Sequence, residues 1–271
     1  MESKLIKFFV YFFSLLTFGS LFFIIGFILL NGIPNLNLAM FSWNYTTTNV
    51  SMMPSIITTL ALVLSSLVIA APIGVFTAFY LVEYADKNNK FVDIIRIATD
   101  TLSGIPSIVY GLFGMLFFVV FLGFQYSLLS GILTSVIMVL PVIIRSTEEA
   151  LLSVKDALRE GSLALGAGKL RTIFRVVLPV AMPGILSGLI LGVGRIVGET
   201  AALMYTLGTS TNLPHNFMQS GRTLALHMFV LSSEGMHVNE SYATGVVLII
   251  VVLIINSLST LLSNRLTKGA K

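Results

Sequence analysis

The sequence predicts an all-helical, multi-pass membrane protein with six transmembrane helices and both termini cytoplasmic. Three observations predict it. First, 56% of the 271 residues are hydrophobic and only 10% charged, with a mean hydropathy of +0.95, whereas soluble domains carry about 25% charged residues. Second, the apolar residues gather into stretches of about 20, the length that crosses a hydrocarbon core about 30 Å thick. Third, the basic residues collect in alternate connections, as the positive-inside rule requires.

The first stretch, 8–30, follows Lys4 and Lys7 and imitates a secretion signal. It runs unbroken from Phe8 to Leu30 without a small-residue cleavage site, so it is expected to remain as a span. The segment Asn31 to Met53 is rich in Asn, Thr and Ser. Its Asn44-Tyr45-Thr46 triplet has the form of a glycosylation sequon, but a polar loop is the simpler reading. The remaining stretches are 56–82, 104–124, 127–145, 179–203 and 243–262. Only Gly123 to Tyr126 divide the third from the fourth, and Tyr126 and Trp43 suit a membrane interface. Lys4 and Lys7 precede the first span; Lys87, Lys90 and Arg96 follow the second. Arg145, Lys155, Arg159, Lys169, Arg171 and Arg175 follow the fourth, and Arg265, Lys268 and Lys271 close the chain. Of the 16 basic residues, only Arg222 in an opposite loop and Arg195 inside a span fall elsewhere.

Composition also removes several classes of chemistry. There is no cysteine, so neither disulfides nor thiolate metal sites arise, and His215, His227 and His237 lack ligand spacing. Gly161 to Leu170 resembles a phosphate loop only at a glance. Leu163 stands where the first glycine belongs, and Leu170 replaces the hydroxyl that would hold magnesium. Gly192-Val-Gly194-Arg-Ile-Val-Gly198 misses the dinucleotide pattern by one position and follows no strand. The spans show no His, Asp or Ser cluster for a membrane enzyme.

Within the fifth stretch, Gly184, Gly188 and Gly192 repeat every fourth residue, which puts them on one helical face where a neighbouring backbone can approach. On the same helix Arg195 and Glu199 stand four residues apart and share that face with Gly188 and Gly192. An arginine at mid-membrane costs roughly 2.5–3.5 kcal/mol even on insertion scales, so such a pair must face protein or water. Two roles are open: an ion pair that locks helices, or an arginine fork offered to a tetrahedral oxyanion with Glu199 orienting it.

The connection Arg145 to Arg175 mixes charges of both signs with small residues. Its centre reads Glu160-Gly-Ser-Leu-Ala-Leu-Gly166, then nine residues, then Val176-Val-Leu178-Pro179. This resembles the E-A-A-x3-G-x9-I-x-L-P signature of type I ABC importer permeases, the binding-protein-dependent membrane components. Glu160, Gly166, Leu178 and Pro179 match and Val176 stands for Ile, while Gly161 and Ser162 replace two alanines. Gly104-Ile-Pro-Ser-Ile-Val-Tyr-Gly-Leu-Phe113 and Gly194-Arg-Ile-Val-Gly-Glu-Thr-Ala201 resemble the phosphate-specific, PstA-type branch. The resemblance extends over residues 57–263.

That resemblance implies the type I ABC importer permease fold in a bacterial or archaeal cell membrane. It divides the chain into an N-terminal helix and extracytoplasmic loop (1–55), a permease unit (56–263, coupling loop about 146–178) and a cytoplasmic tail (264–271). Glu160, Gly161, Ser162, Ala164, Leu165 and Gly166 would form a coupling helix that enters a groove on a cytoplasmic ATPase. Arg195 and Glu199, with Thr200, would line or gate an anion path. The implied partners are a PstC-type second permease subunit, a pair of PstB-type ATPase subunits and an extracytoplasmic phosphate-binding protein, with lipid around them and no nucleic acid. The chain itself would be no enzyme and bind no cofactor; ATP and magnesium would sit on the ATPase. Two alternatives stay open. One is a permease for phosphonate, sulfate or molybdate, since a lone arginine does not discriminate tetrahedral anions. The other is an ion-coupled carrier in which Arg195 and Glu199 relay charge.

Overall fold

The computed structural model describes residues 2–86 and 89–268, without the side chains of Glu2, Ser3 and residues 262–268. Of the basic residues counted above, Lys87 and Lys271 lie outside the described residues, as do the side chains of Arg265 and Lys268. The chain is helical, with no strand among the described residues. Its helices are α1 (Glu2–Gly32), α2 (Met53–Phe79), α3 (Lys90–Ser103), α4 (Ser107–Gly114), α5 (Leu128–Leu152), α6 (Asp156–Ala164), α7 (Lys169–Thr172), α8 (Leu178–Val197), α9 (Ala201–Thr206), α10 (Leu224–Glu234) and α11 (Val238–Lys268). Wider π-helical turns extend α2 over Tyr80–Tyr84 and α4 over Met115–Phe121, and join α7 to α8 over Ile173–Val177. In the last case Pro179, which has no N–H and crowds the carbonyl four residues back, accounts for the loosened ladder.

Five helices are long and apolar enough to cross a membrane, and the pair α3 and α4 makes up to six if counted as one span. That pair corrects the expectation of a straight third span over 104–124: it is bent by 105° at Gly104-Ile105-Pro106. Proline disfavours helical geometry in the residue before it. Pro106 is extended at ψ 141°, and the Tyr110 hydroxyl donates to the Leu102 carbonyl at 2.6 Å across the bend. The apolar residues of the fifth stretch also divide differently from expectation. The crossing helix runs over Lys169–Val197, and residues 201–206 form the separate α9.

The centre of the bundle is α5, sandwiched between α2 and α8. Leu62, Met138, Val139, Ile143 and Ile196 are fully buried there. Proline inside α2 (Pro72), α5 (Pro141) and α8 (Pro183) leaves each helix continuous, as bundled membrane helices allow where neighbours satisfy the freed backbone groups. Several hydroxyls are satisfied along their own helices, as when Thr58 donates to Pro54 O at 2.8 Å and Thr134 to Ser130 O at 2.8 Å, while those of Ser66, Ser135 and Thr147 are buried without a partner among the described residues. Helix α1 stands at the edge, touching α11 through Phe27 on Tyr242 (rings 5.7 Å apart), while Leu15 and Phe23 are 74% and 72% exposed. In water such a surface would drive aggregation; lipid covers it at no cost.

The glycine stripe of α8 faces α5. A Cβ on Gly184 would lie 2.6 Å from the Ala150 Cβ, one on Gly188 would strike the Ser146 side chain, and one on Gly192 would sit 3.6 Å from Ile143. Gly188→Ala should therefore lower unfolding stability by about 1–3 kcal/mol through overpacking. Adding Ser146→Gly should recover most of the loss, as read from thermal unfolding in nanodiscs.

Candidate functional site

Between α5, α8 and α11 lies a cavity of about 500 Å³. The cavity is lined by Val142 of α5, Ile190, Leu191, Gly194 and Arg195 of α8, and Asn256 of α11. Arg195 is half-buried, and its charge reaches the hydroxyl of Tyr110 on α4. It forms no ion pair among the described residues. The pairing with Glu199 expected from four-residue spacing does not form, because α8 ends at Val197 with Gly198 as its cap. Glu199 lies beyond the helix and is 7% exposed, and its Oε1 accepts the Ala202 N–H at 2.9 Å at the start of α9. A carboxylate at a helix N-terminus meets unpaired N–H groups and the positive end of the peptide dipoles. Thr200 faces a different, largely apolar cavity of about 540 Å³, with Ile28, Ile108 and Met204. The structure thus puts Arg195 at one cavity, Thr200 at another, and Glu199 at a helix cap.

At the end of the bundle that carries most basic residues, α5 continues to Leu152, past the expected limit at 145, and α6 projects from it. No residue of α6 is buried, and Leu165, just after it, is 90% exposed. Glu160, Gly161, Ala164 and Gly166 are all exposed. Gly166 has φ +81°, a conformation cheap only for glycine, which turns the chain sharply after α6. Ser162, one of the departures from the two alanines, shares a hydrogen bond of 2.9 Å with Thr172 on α7. The projecting helix is anchored by Arg159. Its guanidinium donates to Glu83 at 2.9 and 3.1 Å, to the carbonyls of Leu151 at 2.8 Å and Val154 at 2.7 Å, and to Asp156 at 3.1 Å. Lys169 lies over the Tyr84 ring at 4.6 Å, and Arg96 of α3 meets the buried Glu148 of α5 at 2.8 Å.

The chain is thus an apolar bundle with a polar, unburied helix standing out from one end. Residues 70–271 match the family described as binding-protein-dependent transport system inner membrane component. The chain belongs to this family. Among similar proteins, a probable ABC transporter permease protein, YqgI of Bacillus subtilis (strain 168), is 38% identical over 74% of this chain and 75% of its own length. The phosphate transport system permease protein PstA of Mycobacterium leprae (strain TN) is 44% identical over 54% of this chain and 47% of its own length. The PstA homolog of Mycoplasma pneumoniae (strain ATCC 29342 / M129 / Subtype 1) is 33% identical over 92% of this chain and 39% of its own. The matched region thus spans half or less of those two PstA relatives. Solved permeases share the fold. The inward facing MetNI methionine ABC transporter aligns at TM-score 0.60 and 20% identity, covering 81% of this chain and 94% of that one. A bacterial alginate ABC transporter, in complex with an alginate pentasaccharide-bound periplasmic protein, aligns at 0.68 and 17%, covering 98% of both.

The permease holds charged contacts that pattern reading missed. Glu83 and Arg159 are 76 residues apart in sequence, and Arg96 and Glu148 are 52 apart, so no helical periodicity links them. The only available signal was an acidic residue near the end of each of two apolar stretches. At the opposite end of the bundle, Arg222 is 3% exposed with its guanidinium 5.0 Å over the Tyr45 ring, and Tyr45 in turn meets the His227 ring edge-on at 6.3 Å. Burial lowers the Arg222 guanidinium from its ordinary value, opposed by Tyr45. Burial, reinforced by the Arg222 charge and opposed by the Val50 backbone, lowers His227 to about 3.

Two outcomes follow from these contacts. Glu83→Ala removes two of the charge-assisted hydrogen bonds of Arg159, leaving it Asp156 and the carbonyls of Leu151 and Val154, and should cost about 1–3 kcal/mol, whereas Glu83→Gln keeps an acceptor and should cost less; chemical unfolding in detergent separates them. His227 is neutral in the fold down to about 3, against 6.5 for the free side chain. The unfolded chain therefore takes up the extra proton between those values. Stability from the neutral ring is complete above about pH 6.5 and is lost as pH falls towards 3. The acid-side fall in unfolding temperature should be shallower in His227→Gln.

Proposed function

We propose that this ABC importer permease carries inorganic phosphate inward as one half of a translocation pathway, with the end bearing α6 on the cytoplasmic side. The observation that carries the reading is Arg195. It is a half-buried guanidinium without an ion pair among the described residues, facing a cavity whose other lining residues are uncharged. A guanidinium stays protonated and offers a planar fork of donors, the geometry that two oxygens of a phosphate accept. Glu199 supports the reading from beside it: by capping α9 it leaves the arginine's charge available.

In this reading α6 is the coupling helix. Its exposed leucines and the turn at Gly166 enter a groove on a separate PstB-type ATPase, where ATP and magnesium bind. Arg159 ties any displacement of α6 to α2 through Glu83 and to the end of α5 through two carbonyls. A PstC-type subunit supplies the second half of the path, and an extracytoplasmic phosphate-binding protein loads it. Alternation between inward-open and outward-open packings then follows from ATP on one side and the loaded receptor on the other. Membership of a binding-protein-dependent family favours this over an ion-coupled carrier.

Arg195→Gln in the assembled transporter should reduce phosphate uptake about 10–100-fold, the loss expected for a charge-assisted hydrogen bond, while complex assembly on gel filtration is unchanged. Normal uptake by that variant, or uptake of sulfate in preference to phosphate by the unmodified transporter, would remove the assignment.

A further inference from the structure

Arg222 is a second buried arginine, outside the cavity that Arg195 lines. Its Nε and Nη2 atoms find no hydrogen-bond partner among the described residues, and no carboxylate pairs with it there. Glu234 acts on it through space without forming an ion pair. A buried guanidinium does not escape its charge by releasing a proton, so it calls for an anion. The neighbouring loops supply none: residues 31–53 and 205–221 contain neither Asp nor Glu.

Near Arg222 lies a cavity of about 860 Å³, whose lining includes Trp43, Asn44, Tyr45, Asn212, Gln219 and Ser220, with no acidic residue. Its walls offer amide, hydroxyl and indole donors. Tyr45 belongs to both places, since its half-buried ring lines the cavity and covers the Arg222 guanidinium. The loop that holds Tyr45 is shaped by Asn49. Its Oδ1 accepts from the N–H groups of Thr46 at 2.9 Å and Ser51 at 3.0 Å, and its Nδ2 donates to Ser42 Oγ at 2.8 Å and Asn44 O at 2.9 Å. The same loop holds Val50 at φ +44°, a left-handed conformation unfavourable for a β-branched side chain. A loop fixed by one side chain and strained at its end is suited to switching between two arrangements.

We propose that Arg222, covered by Tyr45, is a second oxyanion-holding site at the outer mouth, reached from the 860 Å³ cavity when the Tyr45 ring swings aside. The neutral His227 ring contributes one N–H donor to the same pocket. The site rests on the reading of the chain as an oxyanion importer and adds a place where the anion is held before it reaches Arg195. In the arrangement seen here the site is closed.

Trp43 is the chain's single tryptophan and lines the cavity, so its emission reports occupancy directly. The purified full chain in nanodiscs, titrated with inorganic phosphate and separately with sulfate, should show a saturable change in emission. Arg195→Gln should keep that change. Arg222→Gln should weaken it at least about tenfold, a loss of about 1.4 kcal/mol, and Tyr45→Ala should tighten it by uncovering the site. Arg222→Lys keeps the charge without the fork and should fall between, which guards against a folding defect in the Gln variant; circular dichroism checks helix content. A saturable response to sulfate alone would uphold the site and remove phosphate as the cargo. No saturable response, or one unchanged in Arg222→Gln, would overturn the inference while leaving the uptake test of Arg195 untouched.

Discussion

The close approach of α8 to α5 through Gly184, Gly188 and Gly192 sets the geometry on which the other features depend. Lipid offers no hydrophobic drive between helices, so association relies on packing, and small residues allow the backbones near enough for dispersion to accumulate. At Gly184 and Gly188 the side chains of Ala150 and Ser146 come too close for any Cβ, and Ile143 packs in ordinary contact over Gly192. The projecting α6 grows from the end of α5, and Arg195 sits at the far end of α8. Under the proposed function, a movement imposed at α6 would reach the Arg195 cavity through this contact.

The polar groups of the bundle sort by how they are satisfied. Glu148 and Glu83 are buried but paired with Arg96 and Arg159, and Arg159 is further satisfied by two main-chain carbonyls. Fully bonded charges of this kind fix one arrangement of the helices they join. By contrast, the pairs of Arg145 with Asp100 and Glu149 are exposed, and pairs of that kind contribute about 0–1 kcal/mol. Arg195 and Arg222 form a third group: both are withdrawn from solvent, and neither has a carboxylate partner among the described residues. Under the proposed function, these two guanidiniums are the groups left open to an anion.

The spans were legible in the sequence because lipid demands runs of apolar residues, and the stripe of α8 glycines because a period of four is a helical signature. The exposed α6 was legible only through its resemblance to a known signature. The 105° bend was not, although Gly104-Ile105-Pro106 marks it: hydropathy averages over the break, and α3 is too polar to register as part of a span. The end of α8 at Val197 was hidden for a related reason. Residues 199–203 are apolar enough to prolong the stretch, and only the capping role of Glu199 at Ala202 shows that the helix has stopped. Tyr45 and Arg222 are separated by most of the chain, and a contact of that range leaves no local pattern.

The fate of Glu199 explains why its closeness to Arg195 in sequence does not neutralise the arginine. Had α8 continued for one more turn, the two side chains would have stood one above the other and formed an intrahelical pair, closing the guanidinium to any other oxygen. The helix ends at Val197, and the chain turns so that the carboxylate meets the N–H of Ala202. The negative charge is then held by the first turn of α9, in a site of positive potential. The early end of α8 thus separates what would be a self-contained ion pair into a carboxylate bonded at the start of α9 and an arginine with open donors, and under the proposed function those open donors are what a passing oxyanion requires.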